Sequence, residues 1–88
     1  MQRTAGRAEI ERWMVLYVAI VVGVDADDLD PGSPLASHDL DSVDAVNMAL
    51  EFEDAFSLEI GPETFLDGDA TLAAIAARVA DAVPARVA

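Results

Sequence analysis

The sequence predicts a small all-α bundle of four helices, three main and one short, with a long loop between the first two. Three observations predict it. Apolar residues recur at steps of three and four in three separate segments. No segment carries a convincing period-two alternation, the mark of a half-buried strand. Glycine, proline and capping residues fall between the periodic segments, where helices should begin and end.

The first helix covers about residues 8–22. Ile10, Trp13, Met14, Tyr17, Ile20, Val21 and Val24 fall at helical steps and form the expected buried face, and Gly23 supplies a stop. Residues 18–24 are rich in β-branched side chains, but the longer helical period overrides the local strand preference. The connection over residues 25–41 follows. Asp25, Asp27, Asp28, Asp30, Pro31, Gly32, Ser33 and Pro34 break both helix and strand patterns. Leu29, Leu35 and Leu40 are its apolar points and should pin it to the core. A loop this long in a compact domain is ordered or functional.

The second helix opens at Asp41 or Ser42, both good capping types, and runs to about residue 56. Met48, Ala49, Phe52 and Phe56 make its apolar stripe, with Val43 and Ala45 near its start. Val46 and Leu50 form a smaller apolar pair that need not be buried. A short turn of helix is expected over residues 62–66, with Pro62 in its first turn. The last helix begins after Asp69, Ala70 and Thr71. Leu72, Ile75, Ala76, Val79 and Val83 share its inner face, and Pro84 is its expected end.

At 88 residues the chain suffices for one domain, with a core over about residues 8–84. A domain of this size buries only roughly 60% of the surface its unfolded chain exposes. An enclosed pocket for a large substrate would consume much of that core, which favours a binding or carrier module over an enzyme. The absence of cysteine excludes disulfides and thiolate metal sites. The apolar stretch over residues 13–24 is short for a membrane span and lacks a signal-peptide cleavage pattern. A soluble, cytoplasmic monomer is the expectation.

Charge is the strongest compositional feature. There are 17 acidic residues against five basic ones, and the basic residues are all arginine: Arg3, Arg7, Arg12, Arg78 and Arg86. Residues 13–77 hold 14 acidic side chains and no basic one. Such a surface repels nucleic-acid backbones and anionic membranes, so neither is an expected partner. A protein with a basic patch is. Solubility alone also accounts for an acidic surface.

The residues that carry chemistry lie in Asp39-Leu40-Asp41-Ser42-Val43-Asp44-Ala45-Val46. A serine here is exposed, and the helix behind it orders its backbone. Free N–H groups and partial positive charge at the helix N-terminus suit a phosphate ester on the serine oxygen. The plain alternative is that Ser42 only caps the helix.

The wider pattern resembles the acyl carrier protein family of phosphopantetheine-binding carrier domains over about residues 10–83. Asp41-Ser42-Val43-Asp44 looks like the family's Asp-Ser-Leu attachment motif. Leu50-Glu51-Phe52-Glu53-Asp54-Ala55-Phe56 and Glu59-Ile60 follow at the family's spacing. Gly23-Val24-Asp25, Asp30-Pro31, Pro34-Leu35, Phe65 and Thr71-Leu72 resemble further parts of it. The resemblance implies a 4'-phosphopantetheine arm, moved by a phosphopantetheinyl transferase from coenzyme A onto Ser42, with Asp41 beside it. The arm's thiol would hold acyl groups as thioesters, and the protein would catalyse nothing itself.

The resemblance also makes the helix after the serine the docking surface. Asp39, Asp44, Val46, Asn47, Leu50, Glu53 and Asp54 would meet basic patches on acyltransferase, ketosynthase or acyl-ligase type enzymes. Acidic side chains steer such partners, and Val46 with Leu50 add small apolar contacts. The chain departs from the family at four places. Asp39 stands where many relatives have glycine, Val43 replaces the commoner leucine, and Asn47 stands where an acidic residue is frequent. Gly68-Asp69-Ala70 replaces a proline-containing approach to the last helix. The aspartate before the serine resembles acyl carriers more than peptidyl carriers, which commonly have a Gly-Gly-His-Ser type motif. Abundant alanine and valine without lysine fit a high-GC bacterial gene, where free-standing carriers of polyketide or related pathways are common.

The residues also bear on three rival readings. A calcium-binding EF-hand loop starting at Asp25 fails at its fifth, sixth and twelfth positions, which are Leu29, Asp30 and Ala36. No metal site is expected. A serine hydrolase needs a base and a strained elbow. The sole histidine, His38, lies four residues before Ser42 in the same loop, and no Gly-x-Ser-x-Gly surrounds the serine. A non-carrier acidic helical domain that binds a basic partner explains the charge and the helices, but not the serine motif and its spacing.

Overall fold

A computed structural model describes the backbone of residues 6–87 and the side chains of residues 6–81. Four α-helices follow one another: α1 over Arg7–Val22, α2 over Ser42–Phe56, α3 over Glu63–Leu66 and α4 over Leu72–Val87. Two 3-10 turns, Ala26–Asp28 and Leu35–His38, lie in the long loop. No strand occurs among the described residues; a single antiparallel bridge joins Pro34 and Thr71.

α1 ends where glycine was expected to stop it. Gly23 takes a left-handed φ of 80°, and the amides of Gly23 and Val24 both donate to the Ala19 carbonyl at 2.9 Å. A side chain there would meet the steric penalty of left-handed backbone. The long loop is ordered by backbone bonds to the start of α4. Leu35 N–H donates to Ala70 O at 2.8 Å, Ala36 N–H to Gly68 O at 3.1 Å, and Ala73 N–H to Pro31 O at 2.9 Å. Leu29 and Leu35 are buried and Leu40 packs on the core, so the three leucines pin the loop.

The core holds Ile10, Met14 and Val18 of α1, Met48 and Phe52 of α2, Phe65 of α3, and Leu72 and Ile75 of α4, all at or near full burial. α1 packs chiefly on α4, and α2 on α3. An aromatic cluster joins α1 to α2: Trp13 stacks on Tyr17 at 5.2 Å and meets Phe52 and Phe56 edge-on at 5.4 and 5.8 Å. One turn further along α1, Tyr17 lies in the field of Glu51 and Asp44. Advancing along α1 therefore means retreating along α2. The two helices are antiparallel, and the C-terminal end of α1 lies at the Ser42 end of α2.

Three sequence expectations need correction. Ile20, Val21 and Val24 are exposed, Ile20 by 80%, whereas Val15, Val18 and Ala19 are buried. α1 is apolar on most sides, so period alone left two faces available; packing on α4 chose the row through Val15, Val18 and Ala19. Val43 is 65% exposed and does not continue the buried stripe that Ala45 begins. Pro84 does not end the last helix, which runs to Val87. A proline forfeits its own N–H bond and crowds the turn before it, but the residues after it can still donate backward. The side chain of Val83 lies outside the described residues.

Candidate functional site

The site is built at the junction of the loop and α2. Asp41 is the N-cap, with extended backbone, and its Oδ1 accepts the Asp44 N–H at 2.8 Å. Its carbonyl accepts the Ala45 N–H at 3.0 Å. Ser42 is therefore the first residue of the helix, and it is exposed. The capping bond satisfies one of the four first-turn amides; those of Ser42 and Val43 have no intrahelical acceptor. The approach to this junction is set by Asp39, whose φ of 59° and ψ of 31° are left-handed. This is the position where many relatives carry glycine. Aspartate is among the few other types that adopt this conformation readily.

The side chains expected to dock partners divide clearly. Val46, Asn47, Leu50, Glu53 and Asp54 are all exposed along α2, with Leu50 at 60% and Val46 at 42%. Asp39 and Asp41 are exposed in the loop, and Asp44 is half-buried on the side of Tyr17. Val43, Val46 and Leu50, at steps of three and four, make one exposed apolar row directly below the serine. Apolar type alone puts the first member of that row, Val43, in the buried stripe. The spacing to Val46 and Leu50 was the signal that could have placed it outside. At the other end of α2, Leu50, Glu51, Glu53, Asp54 and Ser57 line an open groove of about 310 Å³.

Burial pushes the Tyr17 phenol above its ordinary value, and the negative charges of Glu51 and Asp44 push it the same way. Tyr17 is thus held neutral against the acidic side of α2. His38 is half-buried in the last 3-10 turn, four residues before Ser42. No group of three or more His, Cys, Asp or Glu suited to a metal ion occurs among the described residues. No helix among them is long and apolar enough to cross a membrane.

Residues 12–79 match the family described as the phosphopantetheine attachment site. The chain belongs to this carrier family. Its prosthetic group is a covalently attached 4'-phosphopantetheine, and a carrier domain of this kind is not itself catalytic. Such domains meet a phosphopantetheinyl transferase and modifying or biosynthetic enzymes. Among solved structures, the fold is similar to a free-standing peptidyl carrier protein from an uncharacterized Acinetobacter baumannii secondary metabolic pathway. The TM-score is 0.80 at 26% identity, over 89% of this chain and 96% of that one. No curated protein matches the sequence. The Ser42 end of α2 fits the family's group: an exposed serine on backbone fixed by the Asp41 cap, beside first-turn amides that lack an intrahelical acceptor.

Proposed function

We propose that Ser42 carries the phosphopantetheine arm and that the chain presents acyl intermediates, as thioesters, to enzymes of a polyketide, fatty-acid or related pathway. The observation that carries this reading is the position of Ser42. It is an exposed hydroxyl on the first residue of α2, inside the family match, with an acidic and apolar helix face running away from it. When bound, the arm supplies a thiol that holds the cargo as a thioester. The residues of the chain do the rest. Asp41 fixes the helix start and so the direction of the Ser42 side chain. Glu53 and Asp54 attract basic enzyme surfaces, and Val43, Val46 and Leu50 give the contact its apolar centre. The contact area is small and charged, which suits a carrier that must leave each enzyme after its step.

Intact mass after incubation with coenzyme A, magnesium and a broad-specificity transferase tests this. The native chain should gain one phosphopantetheine and Ser42→Ala none. No gain with a transferase that modifies another carrier in the same tube would refute the assignment. A second reading, aminoacyl or peptidyl cargo, is favoured by the similarity to a peptidyl carrier. Incubating the loaded protein separately with acyltransferases and with amino-acid-activating enzymes, and reading the mass added, separates the two.

A further inference from the structure

A second cavity, of about 340 Å³, opens between the C-terminal end of α1 and the long loop. That is the lower end of the volume range of small-molecule sites. Val22, Val24 and Leu29 give it an apolar wall, and the polar wall holds His38 with three carboxylates, Asp28, Asp30 and Asp39. Nothing in the docking surface on α2 uses it. Two facts place it beside Ser42. The antiparallel pairing of α1 and α2 brings residues 22–24 to the serine end of the bundle. Asp39, on its wall, is three residues from Ser42, a span of at most about 11 Å.

His38, on the polar wall, also carries an unexplained polar atom. Nε2 of His38 is buried with no hydrogen-bond partner. Buried polar groups are ordinarily bonded, and an exception calls for a cause. Imidazole orientation about χ2 is broad, and a turn of the ring toward the cavity would give this nitrogen the partner it lacks. In one tautomer it donates and in the other it accepts.

We propose that this cavity seats the pantetheine arm, with the arm's apolar stretch against Val22, Val24 and Leu29 and one of its amides on His38 Nε2. The proposal rests on Ser42 being the attachment residue. The arm fits both walls: its geminal dimethyl group is apolar, and its two amide N–H groups and its hydroxyl are donors for the carboxylates, while its phosphate stays outside on Ser42. A seated arm would keep the thioester close to the loop and away from water between enzyme visits.

The chain has no cysteine, so the arm's thiol is the sole thiol of the loaded protein. Its reaction rate with the neutral reagent 4,4'-dithiodipyridine reads the seating directly. Loading is first verified by intact mass; a chain that gains no arm refutes the Ser42 assignment and is distinguished at that step. In the loaded native protein the thiol should react about fivefold more slowly than free pantetheine, as a docked population of about 80% requires. Val24→Trp, which adds bulk to the apolar wall of the cavity, should restore the free rate. His38→Phe, which keeps the ring and removes the nitrogen, should restore it in part. Both variants leave the surrounding carboxylates in place, so a change of rate does not come from the acidic field. The methyl resonances of Val22, Val24 and Leu29 should shift between unloaded and loaded protein. A thiol as reactive as free pantetheine would overturn the proposal. So would slowing that survives Val24→Trp with unmoved methyl resonances.

Discussion

The Asp41 carboxylate accepts the Asp44 amide at 2.8 Å, and this bond decides which residue begins α2. It leaves Ser42 inside the helix with its hydroxyl uncommitted. Asp41→Ala removes the acceptor and should lower stability by about 1 kcal/mol, whereas Asp41→Asn should retain most of it. Urea denaturation followed by helical circular dichroism measures both. If the cap also orients the serine, the transferase should modify Asp41→Ala more slowly than Asp41→Asn, even at temperatures where both are fully folded.

Asp39 and Ser57 are the two described non-glycine residues with positive φ, 59° and 57°. Each bears the steric penalty of left-handed backbone for an L-residue, offset partly by the chain entropy that glycine would lose on folding. Asp39→Gly and Ser57→Gly should each stabilise by roughly 0.5 kcal/mol, and Ser57→Gly has the added logic of a helix C-terminal cap. Asp39→Val should destabilise, because a β-branched side chain tolerates this conformation least. Thermal melts of the three variants decide the point.

Leu50 is 60% exposed at the end of the α2 row farthest from Ser42. Leu50→Asp should leave the urea midpoint within about 0.5 kcal/mol of the parent, since exposed substitutions away from special features cost little. Its association with a cognate biosynthetic enzyme should weaken at least about tenfold, the equivalent of 1.4 kcal/mol. An unaltered affinity by titration calorimetry would remove Leu50 from the docking surface.

Phe52 is fully buried and touches both Trp13 and Phe56. Phe52→Ala should cost about 3–5 kcal/mol, a large part of the total stability of a domain this small. The chain has one tryptophan, so emission from Trp13 reports the loss directly, with a red shift as the cluster opens. Phe52→Leu should retain folding with a smaller loss.

The Tyr17 phenol titrates above its ordinary value because burial and the charges of Glu51 and Asp44 disfavour its anion. The sign follows from linkage. The folded state resists losing a proton that the unfolded state gives up near pH 10. The stabilising contribution is therefore whole below that value and is lost as pH rises toward the raised folded one. Tyr17→Phe should flatten the fall in stability across this alkaline window. Urea midpoints measured at intervals from about pH 8 to about pH 11 would show it.

Much of this protein is legible without coordinates. The helical periods of residues 8–22, 42–56 and 72–80, the stop at Gly23 and the pinning leucines of the loop depend on near neighbours in the chain, and local physics is written in local sequence. The exposed pair Val46 and Leu50 was legible for the same reason. What only the tertiary structure decided is the choice between equivalent surfaces. α1 offers apolar side chains on most of its circumference, and packing on α4 buried Val15, Val18 and Ala19 while leaving Ile20 in solvent. Val43 is as apolar as Ala45, yet the rotation of α2 about Phe52 turned it outward beside Ser42. The antiparallel pairing of α1 with α2 and the cavity that brings His38 toward Val24 and Leu29 arise from contacts between residues far apart in sequence. Period and propensity act over a few residues, but a face or a cavity exists only once distant elements have met.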